Sequence, residues 1–301
     1  MTRPSRRRPS LWSLAAPGGG AILALVLTLG ADPASGQMPW EWDGVRGGRG
    51  VRGGPGYWEL PAKREIFPGE TFVFCRIMYD QVRREPLGHG WNTDYPDSDI
   101  NFSIRLAELT TIKVLWNEAT GEPHHAVIRL TDPDLFRYPF IFMSDVGTVD
   151  FREAEVKALR AYLLKGGLLY VDDFWGDLAW EHWKSQIERA LPPPEFRIVD
   201  IGLSHEIFNI VFELKEMPQV PSIQHWNWSG GETSERGAES AEPHCRGIFD
   251  PEGRLMVIMT HNTDIADGWE REGENEEYFR EFSVKKSYPL GINIIVYAMT
   301  H

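Results

Sequence analysis

The chain has 301 residues, 42% hydrophobic and 25% charged, with a formal net charge of −13. That is globular composition, enough for one large domain or two small ones. The acidic excess sets nucleic acid and anionic lipid aside as partners, because such a surface repels both.

Arg6, Arg7 and Arg8 precede an apolar stretch over residues 21–29, and Ala34, Ser35 and Gly36 stand just before Gln37. A basic start, a short apolar core and a small-residue cleavage site describe an export signal over residues 1–36. The rival is an uncleaved membrane anchor over residues 11–31. Pro17 and the glycines at 18–20 interrupt it and leave an apolar run too short to span. The expectation is an exported protein, periplasmic or secreted, that meets a membrane only through this signal. Residues 37–59, rich in Gly and Arg, read as a flexible leader. One α/β domain is expected over residues 60–301. Of the two cysteines, Cys75 lies in an apolar strand, where a buried free thiol is common, while export permits a disulfide to Cys245.

Residues 71–79 (TFVFCRIMY) give the first strong strand, apolar enough to be covered on both faces. The long loop over residues 80–99 carries His89, Trp91, Asp94 and Tyr95, too aromatic for simple disorder. Residues 100–109 read as a helix capped by Asp99. A strand is expected over residues 127–130, with weaker ones over 112–116 and 196–199. Residues 138–176 then read strand, helix, strand. The apolar run at 139–143 leads to Asp150 and Glu153, at the D-x-x-E spacing of a helix start. Val156, Leu159 and Leu163 follow at helical spacing, Gly166 ends the helix, and residues 168–171 are apolar again. Two strands joined through a helix should be parallel. A helix over 178–190 stops at Pro192–Pro194. Residues 205–214 are ambiguous, and 222–244 form a polar insertion. Residues 254–260 are a clear strand, residues 261–272 (HNTDIADGWERE) a second unusual loop, and 289–299 a helix with Pro289 in its first turn.

Alternating strands and helices mean an open α/β sheet with helices on both faces, and such sheets bind ligands beyond the carboxyl ends of their strands. Those ends supply Tyr79 and Asp80, Asp145, Asp172 and Asp173, then His261, Asn262 and Asp264. The segments WNTDYPDSDINFSIRLAELT, YPFIFMSDVGTVDFREAEVKALRAYLLKGGLLYVDDFWGD and HNTDIADGWE, with the ending LGINIIVYAMTH, resemble the domain-of-unknown-function 4159 family, over about residues 72–301. That family is similar in fold to the class I glutamine amidotransferase-like superfamily. The resemblance implies a flavodoxin-like three-layer α/β sandwich with a mostly parallel central sheet. Catalytic members of the superfamily carry a nucleophilic Cys at a tight strand-to-helix turn. The matching turn here runs Val171, Asp172, Asp173, Phe174, Trp175, Gly176 and has no Cys, which argues against glutaminase activity.

Asp172 or Asp173 could bind a cation or act as general base beside Asp145; equally, one could cap the following helix. With His261 and Asp264 they could offer oxygen and imidazole ligands to Mg²⁺, Mn²⁺ or Zn²⁺, although no HExxH-type spacing supports a metal. Trp91, Trp175 and Trp269, with Asp94 and Asp264, could form an aromatic and acidic surface for a sugar or another flat ligand; the plainer reading is that the indoles plug the loops into the sheet edge. There is no P-loop, dinucleotide fingerprint or G-x-S-x-G elbow. The expectation is a non-catalytic binding or interaction module for a small molecule, glycan or envelope protein. It needs no cofactor, with a divalent metal left open. The alternative is a hydrolase of a sugar or envelope component using Asp172 or Asp173 with His261. A scaffold piece of an envelope assembly is the third option.

Overall fold

The computed structural model describes residues 71–301; the signal and leader expected over residues 1–59 lie outside the described residues. Strand β1 (Phe74–Ile77) is followed by the two-residue β2 (Asp80–Gln81) and helix α1 (Asp97–Leu109). Next come β3 (His125–Ile128), β4 (Phe140–Ser144) and the short β5 (Val149–Asp150), which pairs antiparallel with β2. Helix α2 (Glu153–Leu164), β6 (Leu168–Asp172) and α3 (Gly176–Ala190) follow. The chain continues with β7 (Ile198–Asp200), α4 (Ile223–Ser229), β8 (His244–Phe249) and β9 (Leu255–His261). Helices α5 (Asp267–Glu270) and α6 (Glu276–Tyr278), a wide-turn π-helical segment (Phe279–Ser287) and α7 (Tyr288–Thr300) close it.

The central sheet has seven strands in the order β3-β1-β4-β6-β9-β8-β7. Neighbours from β3 to β9 run parallel, then β8 lies antiparallel to β9 and β7 antiparallel to β8. The strand–helix–strand unit is parallel as the sequence requires, in register from Phe140 opposite Leu168 to Ser144 opposite Asp172. Alternation along β4 explains its continuous apolarity. Ile141 and Met143 pack with Leu159 and Leu163 of α2 and Trp183 and Ile187 of α3. Phe140 and Phe142 pack with Phe102 and Leu106 of α1 and Leu290 and Ile294 of α7. Each such side chain, taken fully out of water, contributes about 1.5–3 kcal/mol. Among the described residues no helix is long and apolar enough to cross a membrane.

Several local expectations change once tertiary partners appear. Asp99 does not cap α1; the helix begins two residues earlier, and Asp99 lies in its first turn, ion-paired at 2.6 Å with Arg76 of β1. Asp150 does not start α2 either. It belongs to β5, and Glu155 accepts the backbone N–H of Arg152 at the helix start. The weak strand over 112–116 reduces to single bridges, Val114 with Phe72 and Trp116 with Pro123. The polar insertion contains α4, and Pro289 stands in the first turn of α7 as expected, with helical turns from Glu276 leading into it. Cys75 and Cys245 are both buried and free.

Candidate functional site

The parallel arrangement brings the carboxyl ends of β1, β4, β6 and β9 to one edge. Backbone and hydroxyl contacts join them there. The Tyr79 hydroxyl, just after β1, lies 2.6 Å from the Ser144 carbonyl of β4, and the Asp145 N–H donates to the Asp172 carbonyl at 3.1 Å. Three of the residues that leave these strands have left-handed backbones: Asp145 (φ 52°), Asp173 (φ 55°) and Asn262 (φ 62°); Asp94, in the loop before α1, is a fourth (φ 63°). Asp and Asn tolerate this region better than other side chains, and such outliers gather at functional edges.

The 80–99 loop folds back over this edge. Its Gly90 N–H donates to Asp145 Oδ2 at 2.7 Å. Gly88 passes so close that a Cβ there would sit 2.3 Å from the same oxygen. The loop is anchored from below by Arg76. Its guanidinium is fully buried among apolar strands and donates to Asp99, to Ser98 Oγ, and to the carbonyls of Trp91 and Thr93. One cation in an apolar strand thus fixes the backbone on which Asp94 is mounted.

Asp94, Asp173 and Asp264 converge there, each offering a carboxylate oxygen, all within 4.8 Å of one another. They are 8%, 8% and 3% exposed, so the space between them is nearly closed to solvent. Asp173 Oδ1 accepts the Trp175 indole N–H at 3.1 Å, and Asp264 Oδ1 accepts the Asp267 N–H at 2.8 Å. Asp94 Oδ2 is buried with no hydrogen-bond partner. Burial first, and then the neighbouring carboxylates, push all three well above the usual carboxylate range. Asp145 is pushed up to about 7, mainly by burial. A second group, Asp94 with Asp267 and Glu270, also gathers within 4.8 Å, but Arg271 is ion-paired to both Asp267 and Glu270. The Asp267 carboxylate further accepts from the Ile223 N–H and the Tyr278 hydroxyl. That second set thus has a cation of its own in Arg271, although Glu270 Oε2, like Asp94 Oδ2, has no hydrogen-bond partner.

Asp172 and His261, also singled out from the sequence, are not members of this cluster. Asp172 has different partners from Asp173. It accepts from the Thr260 hydroxyl at 2.5 Å and the Ala266 N–H at 2.9 Å, and so braces the loop that carries Asp264. Burial pushes it up to about 7. His261 has both ring nitrogens engaged. Nδ1 accepts from Arg246, which can only donate, and Nε2–H donates to the Gly176 carbonyl, each at 3.1 Å. Burial lowers it to about 4, and it lies among the Phe174, Trp180 and His244 rings. It is a locked neutral imidazole and belongs to neither carboxylate group.

Trp175 touches the cluster through Asp173, and half-buried Trp91 packs beside Tyr95. Trp269, expected as part of an aromatic surface, is 1% exposed and packed among Phe74, Phe102, Phe142 and Tyr170; it is core, because the short α5 turns it inward. Asp267 and Glu270 were not among the residues singled out, although Asp264, Asp267 and Glu270 recur every third residue, the spacing that places side chains on one helical face. Arg76 gave no sequence signal beyond its presence in an apolar strand.

A protein-family model described as Domain of unknown function (DUF4159) matches residues 73–299, from β1 to the end of α7. No curated protein matches the chain.

Proposed function

The chain belongs to the family described as Domain of unknown function (DUF4159), and on that premise we propose that it is a binding module that receives a ligand on the acidic carboxyl edge of its sheet. The observation that carries this reading is the set of buried carboxylates at Asp94, Asp173 and Asp264, with an orphan oxygen on Asp94. A ligand that donates hydrogen bonds or carries positive charge favours the ionised form of these carboxyls, which only accepts, and so fits the cluster best. Thiol chemistry has no support. Cys75 and Cys245 lie buried in β1 and β8, and burial raises Cys75 well above its ordinary value and Cys245 to about 12.

The reading includes a three-layer flavodoxin-like arrangement akin to the amidotransferase-like superfamily, supported by a separate apolar core on each face of the sheet. It also includes export, supported by Arg6–Arg8 and the apolar and small residues behind them; the mass of the protein isolated from its native envelope tests this. A hydrolase acting on a sugar or envelope component is the second reading. It rests on Asp173, a carboxylate on a left-handed backbone in the strand-to-helix turn, with Asp145 and Asp172 nearby, both pushed up to about 7 by burial, which is a setting for acid–base work.

The test is a panel of glycans and small metabolites offered to the wild type and to Asp173→Asn, with and without chelator, with hydrolysis followed in parallel. Binding lost in Asp173→Asn supports the module. Turnover lost in the variant supports the hydrolase. Undiminished binding in the variant removes the proposed edge.

A further inference from the structure

We propose that Asp94, Asp173 and Asp264 form a binding site for one hard divalent cation of the Mg²⁺, Mn²⁺ or Ca²⁺ class. This deepens the reading above by naming the occupant of the same edge.

Four observations carry it. The first is size: three carboxylate oxygens within 4.8 Å of one another, on side chains no more than 8% exposed, enclose a space for an ion or a water, too small for a sugar ring. The second is the orphan. Asp94 Oδ2 is buried without a hydrogen-bond partner, and leaving a buried carboxylate oxygen unmatched is costly unless something else meets it. The third is charge. The strongest neighbours of Asp173 and Asp264 are other carboxylates, whereas the adjoining Asp267 and Glu270 have Arg271. Unpaired buried charge is expensive, so the cluster either holds protons or holds a cation.

The fourth is the donor set, which is all oxygen. His261, the nearest candidate imidazole by sequence, is locked by Arg246 and the Gly176 carbonyl. Oxygen-only sites suit hard cations and disfavour Zn²⁺, which prefers nitrogen and sulfur. The framework is also built in advance. Trp175 holds Asp173, the Asp267 N–H holds Asp264, and Arg76 fixes the loop that carries Asp94. Three protein oxygens leave the remaining coordination positions of such an ion to water or to an oxygen of a ligand, which ties the cation to the binding role of the edge.

The experiment uses the full chain, stripped with chelator and titrated with MnCl₂ alone at neutral pH, with free Mn²⁺ read by electron paramagnetic resonance. One Mn²⁺ per chain is expected, competed by Mg²⁺ or Ca²⁺. Asp94→Asn and Asp264→Asn should each weaken binding at least tenfold while melting, without metal, no lower than the wild type. Retention of wild-type Mn²⁺ affinity in both variants overturns the site, as does failure of the wild type to bind any of the three ions at millimolar concentration. Should either variant not fold, the wild-type stoichiometry and the competition by Mg²⁺ or Ca²⁺ decide the matter. Mn²⁺ binding with no hit in the glycan and metabolite panel would keep the cation and remove the ligand-binding module; panel binding that persists in chelator would do the reverse.

Discussion

Arg76 and Asp99 meet at 2.6 Å with neither side chain exposed to solvent. The pair joins β1, the strand next to the sheet edge, to the first turn of α1, and other guanidinium donors reach the Trp91 and Thr93 carbonyls. Asp94 follows Thr93 directly, so the ion pair and the carboxylate cluster share one piece of backbone. Removing one partner of a buried pair strands the other. Arg76→Met should therefore cost about 3–5 kcal/mol in urea unfolding, and adding Asp99→Asn should recover part of it.

Asp145 should make stability depend on pH. Its folded carboxyl keeps a proton up to about 7, while the unfolded chain releases it near 3.8. The native state binds the extra proton between those values, so this stability is present at low pH and is lost as pH rises to about 7. Asp145→Asn keeps an acceptor for the Gly90 N–H and has no proton to lose. In chelator, its advantage over the wild type should be absent near pH 4, grow to a few kcal/mol by about pH 7 and then level off. Thermal unfolding across that range measures it.

His261 acts in the opposite direction. Burial lowers its folded value to about 4, against 6.5 when free. Between those values the unfolded chain takes the proton and the native state does not, so stability is lost as pH falls from 6.5 to about 4. The loss is on the order of 3 kcal/mol. His261→Phe keeps the contact with Phe174 and Trp180 and should flatten this limb of the profile, without changing Mn²⁺ affinity at neutral pH.

Trp269 separates packing from function. Its ring centroid lies 4.6 Å from that of Phe102, and a Cβ on Gly291 of α7 would come within 2.5 Å of it. Trp269→Ala should cost about 3–5 kcal/mol through the cavity it leaves. Gly291→Ala should destabilise through overpacking by about 1–3 kcal/mol. Both should bind cations normally under conditions where they remain folded.

The sequence by itself determined the parallel strand–helix–strand core, the strand ends from which Asp145, Asp173, His261 and Asp264 emerge, and the lack of a thiol at the β6–α3 turn. These follow from periodicity, from turn residues and from residue identity, all of which are local. Tertiary structure alone decided which of the emerging groups meet. Asp172 and Asp173 are neighbours in sequence, yet one braces a loop and the other joins the cluster, because the left-handed turn at Asp173 redirects the chain. His261 sits at the right strand end, but the antiparallel β8 brings Arg246 to its ring. Trp269 lies in a polar stretch and still becomes core, since the faces of a single-turn helix are assigned by what packs against them. Asp94 reaches the site from a loop far away in sequence, held by an arginine whose partners are 15 to 23 residues distant. Such distant pairings depend on burial and on the charges left without a counterpart, and residue spacing does not encode either.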